Sequence, residues 1–84
     1  MYKYEELRSE IFTDEGQRGF LKARDLVNRL LDESGCFFMG SVIPKVGGDS
    51  WLAMAYVDRL VELGEIKEVK NDLGAGQYRI LMRR

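Results

Sequence analysis

The stretch Gly40–Ile66, GSVIPKVGGDSWLAMAYVDRLVELGEI, decides the fold of this 84-residue chain. Its second half predicts a helix over 50–63, because Ala53, Tyr56, Val57, Leu60, Leu63 and Gly64 fall on one side at 100° per residue. Asp49 and Ser50 both suit the N-cap, since either side chain can accept from the free N–H groups of the first turn. Gly64 ends the helix, because glycine takes the left-handed conformation past a helix end without steric cost. The first half predicts a short helix over 41–47, capped by Ser41 and apolar at Val42, Ile43 and Val46, with Pro44 in its first turn where a missing N–H is no loss. Gly47-Gly48 then allows a sharp reversal, giving a short helix, a glycine turn and a longer amphipathic helix.

Working outward, Thr13-Asp14-Glu15 opens a helix over 14–34. Phe20, Ala23, Val27, Leu30 and Leu31 share its core face, Gly16 and Gly19 weaken its first turns, and Gly35 closes it. Before it, residues 1–12 predict a short helix with Tyr4, Leu7 and Ile11 on one stripe. A helix of that length is marginal alone and has to dock, either on its own domain or on a second copy as a dimer arm. Cys36-Phe37-Phe38-Met39 reads as an extended segment whose aromatic pair belongs to the core. Residues 65–82 predict a hairpin, with Tyr78, Ile80 and Met82 facing inward, Gln77, Arg79, Leu81 and Arg83 facing outward, and Asn71–Gly76 as the loop.

The run VIPKVGGDSWLAMAYVDRLVELGEI resembles the second and third helices of a winged-helix domain, and VDRLVELGEI is similar to the end of the recognition helix in small bacterial winged-helix DNA-binding regulators. EIKEVKNDLGAGQYRIL fits the wing, and the segment at 36–39 corresponds to a short strand that pairs with it. The implied fold is α+β and mainly helical: a three-helix core, an extra N-terminal helix and a small antiparallel sheet in one domain over 1–84. The implied function is a DNA-binding regulatory module.

Composition narrows the functional classes. The formal charge of −1 gives no global attraction to nucleic acid or membrane, yet residues 67–84 carry a local excess of cations in Lys67, Lys70, Arg79, Arg83 and Arg84. The single cysteine, Cys36, excludes an internal disulfide framework and reads as a small buried hydrophobe. There is no signal peptide and no apolar run long enough to cross a bilayer, so a cytoplasmic location is expected. The chain has no histidine, no zinc-ligand spacing, and glycines that match neither a P-loop nor a dinucleotide fingerprint. Neither catalysis nor a cofactor or metal is expected.

Two sets of site residues follow. Double-stranded DNA as partner calls on Lys45, Ser50, Trp51, Lys67, Lys70, Arg79 and Arg83, the wing and C-terminal cations contacting phosphates. The face of helix 50–63 opposite the core, however, carries Trp51, Ala55, Asp58 and Glu62, flanked by Met54 and Arg59. Base-reading helices present Arg, Lys, Asn or Gln there, so this apolar and acidic face suits a protein partner instead, through Trp51, Met54, Ala55 and Asp58. Folding of Trp51 back onto the monomer would remove that patch. The resemblance alone ranks DNA first.

Overall fold

Capping decides where the helices begin. Helix α1 spans Tyr4–Ile11 and α2 spans Asp14–Ser34, with the Thr13 hydroxyl accepting from the Gly16 amide at 3.0 Å to start α2. Gly35, at φ 78°, ends α2 in the left-handed conformation. Strand β1 (Cys36–Phe38) leads directly into α3 (Met39–Val46). Helix α4 (Ser50–Glu62) is capped by Asp49, whose Oδ1 accepts from the Trp51 amide at 2.8 Å. Its other end is a Schellman turn: Glu65 N–H donates to Leu60 and Gly64 N–H to Val61, with Gly64 at φ 77°. Strand β2 (Ile66–Val69), a 3-10 turn (Gly76–Tyr78) and β3 (Ile80–Arg83) complete the chain. The computed structural model describes residues 1–70 and 76–84, so of the loop expected at Asn71–Gly76 only Gly76 lies within the described residues.

The result is an α+β arrangement, mainly helical, with a three-stranded antiparallel sheet in the order β1-β3-β2. One core joins the elements: Phe20, Ala23, Leu26, Val27 and Leu31 from α2, Val42 and Val46 from α3, Ala53, Tyr56, Val57 and Leu60 from α4, and Phe37, Ile66 and Leu81 from the sheet. Burial of each Val, Leu, Ile or Phe side chain stabilises by about 1.5–3 kcal/mol relative to exposure, which is what makes these short elements persist. Helix α1 packs on α4 and α2 of its own domain and buries Ile11 completely. No helix among the described residues is long and apolar enough to cross a membrane.

Several sequence-based expectations are corrected. Helix α3 starts at Met39, two residues before Ser41, because the Met39 amide finds a tertiary partner in the Arg79 carbonyl at 2.8 Å and needs no side-chain cap. Pro44 therefore sits inside the helix, beyond its first turn. Leu63 is exposed, because the chain leaves α4 at Gly64 and it is Ile66 that re-enters the core. Cys36 is exposed as well, being an outward-facing residue of β1, and Phe38 on the same face is half exposed while Phe37 between them is buried.

The hairpin phase is also reversed at Leu81 and its neighbours, while Gln77 and Arg83 are exposed as expected. The expected strand over 77–82 is replaced by a 3-10 turn followed by β3. Phe37 and Glu68 both register against Leu81, which is fully buried, whereas Ile80 and Met82 are only partly covered and Tyr78 is exposed. Side chains alternate with a period of two, so a one-residue change of phase moves every residue to the other face. The consequence for function lies at Arg79, which turns inward toward α4 rather than out toward solvent.

Candidate functional site

The stripe Trp51–Ala55–Asp58–Glu62 runs along α4, one residue per helical turn or slightly more. A helix that reads bases presents such a stripe to the major groove, which is about 12 Å wide and admits one helix. Here α1 lies on it. The Tyr2 hydroxyl donates to Asp58 Oδ2, the Tyr4 hydroxyl donates to Glu62 Oε1 at 2.6 Å, and Arg8 Nε donates to Glu62 at 3.0 Å. Arg59, on α4 itself, adds a further bond to Glu62 at 2.7 Å, and the Arg8 and Arg59 guanidinium groups each stand 5.0 Å from the centre of the Phe12 ring. Ala55 and Met54 are buried. The expectation that they form an exposed interaction patch with Trp51 is therefore corrected: the docking of α1 on this side of α4 takes up the stripe beyond Trp51.

Asp58 is held from a second direction. Arg79 forms a bidentate pair with it, at 2.6 Å and 3.2 Å, and bonds Glu68 at 2.7 Å. Both side chains of the Arg79–Asp58 pair are only 14% exposed. Burial disfavours the Arg79 charge, but the hydrogen bonds and attraction from Asp58 and Glu68 more than offset it, and the pKa rises. Tyr2 likewise keeps its proton to higher pH, through burial first and then its bond to the Asp58 carboxylate. At the other end of the stripe the hydrogen bond from Tyr4, then those from Arg59 and Arg8, lower the Glu62 pKa to about 2. Tyr4 is pushed up to about 12, by burial and by the same bond to Glu62.

The predicted phosphate-binding cations are dispersed by these arrangements. Arg79 is committed to Asp58 and Glu68 and is mostly buried, so it is not free to meet a phosphate. Arg83 pairs with Asp32 at 2.8 Å, but both are well exposed, and surface pairs of this kind hold by no more than about 1 kcal/mol. Lys45 on α3, Ser50 at the start of α4, Lys67 on β2 and Lys70 after it are exposed, and the three lysines make no ion pair among the described residues.

Trp51 is 45% exposed, about two turns before Asp58, which Tyr2, just ahead of α1, engages. It neither folds away into the monomer nor gains the apolar neighbours Met54 and Ala55 as surface. Sequence reasoning missed Tyr2, Tyr4 and Arg8 as the residues that close α4. Their signal was complementarity between elements: hydroxyl and guanidinium donors on the first helix, with carboxylates on the outer stripe of the last.

No protein-family model matches the chain, and no curated protein or solved structure matches it.

Proposed function

We propose that the chain is a non-catalytic winged-helix module that binds a protein partner through the N-terminal end of α4, with Trp51 as its anchor. The observation that carries this reading is that α1 and Tyr2 engage Asp58 and Glu62 and that Met54 and Ala55 are buried, which leaves Trp51 as the exposed residue of this stripe of α4. The winged-helix assignment draws support from the pairing of β1 with β3, from α3 and α4 joined through Gly47-Gly48, and from the long helix α2 before them. With Asp58 and Glu62 engaged by α1 and Arg79, what α4 offers is a half-exposed tryptophan beside Ser50 and Asp49. Tryptophan is among the residues that most often dominate binding energy at protein interfaces.

The test is selection of peptides from a displayed library on the wild-type protein, followed by binding of the selected peptides to Trp51→Ala. Peptides that lose at least tenfold in affinity on Trp51→Ala support the reading. A selection that yields no binders, or binders indifferent to Trp51→Ala, overturns it.

A second reading, as a DNA-binding regulatory module, is favoured by Lys45, Lys67 and Lys70, exposed and without ion pairs among the described residues. In that reading the lysines and Ser50 contact phosphates and Arg83 is released from Asp32, while α4 reads no bases. Such binding depends on charge rather than sequence and weakens steeply with salt.

A further inference from the structure

The helices use one face of the three-stranded sheet and leave the other. Phe37 and Leu81 stand in register and point into the core, together with Ile66. The residues between them point the opposite way, and pairing fixes which of these lie side by side. On this outer face Cys36 and Lys67 flank Met82, while Phe38 and Val69 flank Ile80. Phe38 is 47% exposed, and Cys36 and Lys67 are exposed. Phe38, Ile80 and Met82 belong neither to the core nor to the residues packed against it. A solvated face of an antiparallel sheet ordinarily carries polar side chains, whereas this one is apolar across β1 and β3.

The uncommitted charges on this face are positive. Lys67 stands beside Met82 in register. Arg84, two residues past Met82, continues the same side of the ladder, its amide donating to the Glu65 carbonyl at 3.3 Å. Neither cation makes an ion pair among the described residues, while the Glu65 carboxylate is taken by Arg24 at 3.0 Å. Two copies meeting through this face would bring cations together with no free carboxylate between them. A partner that carries its own carboxylates satisfies both cations. The sheet also sets the partner's width: strands about 4.8 Å apart place β1 and β2 about 10 Å from each other, close to the diameter of one helix with its side chains.

From this apolar face and its unpaired cations we infer that the outer side of the sheet receives one amphipathic, acidic α-helix from a partner protein. The helix lays its apolar stripe over Phe38, Ile80 and Met82, and carboxylates at the edge of that stripe meet Lys67 and Arg84. It completes on this side the layering of helix on sheet that the core already has on the other. The surface shares no residue with the Trp51 end of α4, so it stands whether or not that end binds a partner.

The experiment is selection of displayed peptides on the full chain carrying Trp51→Ala, which removes binders that rely on the tryptophan. Expected binders repeat apolar residues at i, i+3, i+4 and i+7, with Asp or Glu beside them. They shift the nitrogen-15 NMR amide signals of residues 36–38, 66–69 and 80–84, and they slow the reaction of Cys36 with Ellman's reagent. Phe38→Ser is expected to weaken them about tenfold or more, as loss of an interface aromatic does. Lys67→Glu, an exposed change that leaves the core untouched, is expected to weaken them about fivefold, an effect that shrinks in high salt. A selection without binders overturns the inference, as do binders that lack acidic residues or keep their affinity on Lys67→Glu. So does sedimentation that shows wild type to be a dimer which Phe38→Ser dissociates, since the occupant is then a second copy.

Discussion

Arg79 and Asp58 meet in a two-point pair, 2.6 Å and 3.2 Å between nitrogen and oxygen, that fastens the last strand of the sheet to the outer stripe of α4. The same carboxylate receives the Tyr2 hydroxyl, so one residue of α4 holds both the segment before α1 and the segment before β3. The pair turns Arg79 away from solvent and, together with Tyr2, engages the Asp58 carboxylate on the outer stripe of α4.

Breaking the pair from one side leaves a mostly buried charge with half its partners. Asp58→Ala is expected to cost about 2–4 kcal/mol, below the upper end for buried pairs because Glu68 still bonds Arg79. The double replacement Asp58→Leu with Arg79→Met is expected to cost less than Asp58→Ala alone, because it removes both charges together. Urea unfolding of wild type and the two variants checks this, and a double variant no more stable than Asp58→Ala contradicts it.

The Glu62 cluster gives stability a definite acid dependence. Its carboxyl has a folded-state pKa of about 2 against an ordinary 4.5, so its stabilisation is complete above about pH 4.5 and is lost as pH falls toward 2. The difference in melting temperature between wild type and Glu62→Gln is therefore expected to be constant from pH 7 to 5 and to shrink below pH 4.5. Tyr4 acts at the opposite end: its pKa is raised from 10 to about 12, so its contribution is present below pH 10 and fades as pH rises toward 12. A difference that stays flat down to pH 2 shows that the Tyr4–Arg8–Arg59 cluster around Glu62 does not form.

Two glycines in α2 are expected to resist the usual helix-stabilising replacement. A Cβ at Gly16 would overlap the Glu10 carbonyl at the α1–α2 corner, and one at Gly19 would overlap the Tyr56 hydroxyl. Glycine to alanine in a helix ordinarily gains up to about 1 kcal/mol, but forcing atoms into filled space costs about 1–3 kcal/mol. Gly16→Ala and Gly19→Ala are thus both expected to lower the melting temperature, Gly16→Ala more, since its obstacle is backbone. A rise in either shows that the helices stand further apart than described.

How much of this was legible in the sequence depended on whether the deciding signal was local. The helices at 14–34 and 50–63 followed from periodicity, and Thr13, Gly35 and Gly64 marked their ends as expected. What the sequence left open was settled by contacts between distant residues. The start of α3 is set by a bond from Met39 to Arg79, forty residues away, which no local pattern encodes. Tyr78, Ile80 and Met82 form the apolar alternation while Leu81 lies between Arg79 and Arg83, so hydrophobicity pointed to the wrong face and phase followed from pairing with Phe37 and Glu68. That phase decided the candidate site, because Arg79 on one face is a phosphate ligand and on the other is the partner of Asp58. Met54 and Ala55 were read as surface from α4 alone, since nothing within α4 announces that α1 lies over it.

Cys36 offers a simple check on the sheet. It lies on the outer face of β1, opposite Met82 in register, and is exposed. The native protein is therefore expected to react with Ellman's reagent to completion, at a rate within about tenfold of the urea-unfolded chain. Cys36→Ser is expected to change stability by less than about 0.5 kcal/mol, as surface replacements do. A thiol protected until unfolding would put Cys36 inside and reverse the phase of β1.

The most direct measurement is fluorescence anisotropy of a labelled generic DNA duplex titrated with the protein at low and then rising salt. With the cationic Arg79 bound to Asp58 and Glu68, and the exposed start of α4 offering no Arg, Lys, Asn or Gln, no saturable binding is expected even at low salt, for wild type and for Lys67→Gln/Lys70→Gln alike. Tight binding that falls steeply with salt and is weakened by removing those two lysines would contradict this and establish the chain as a DNA-binding module.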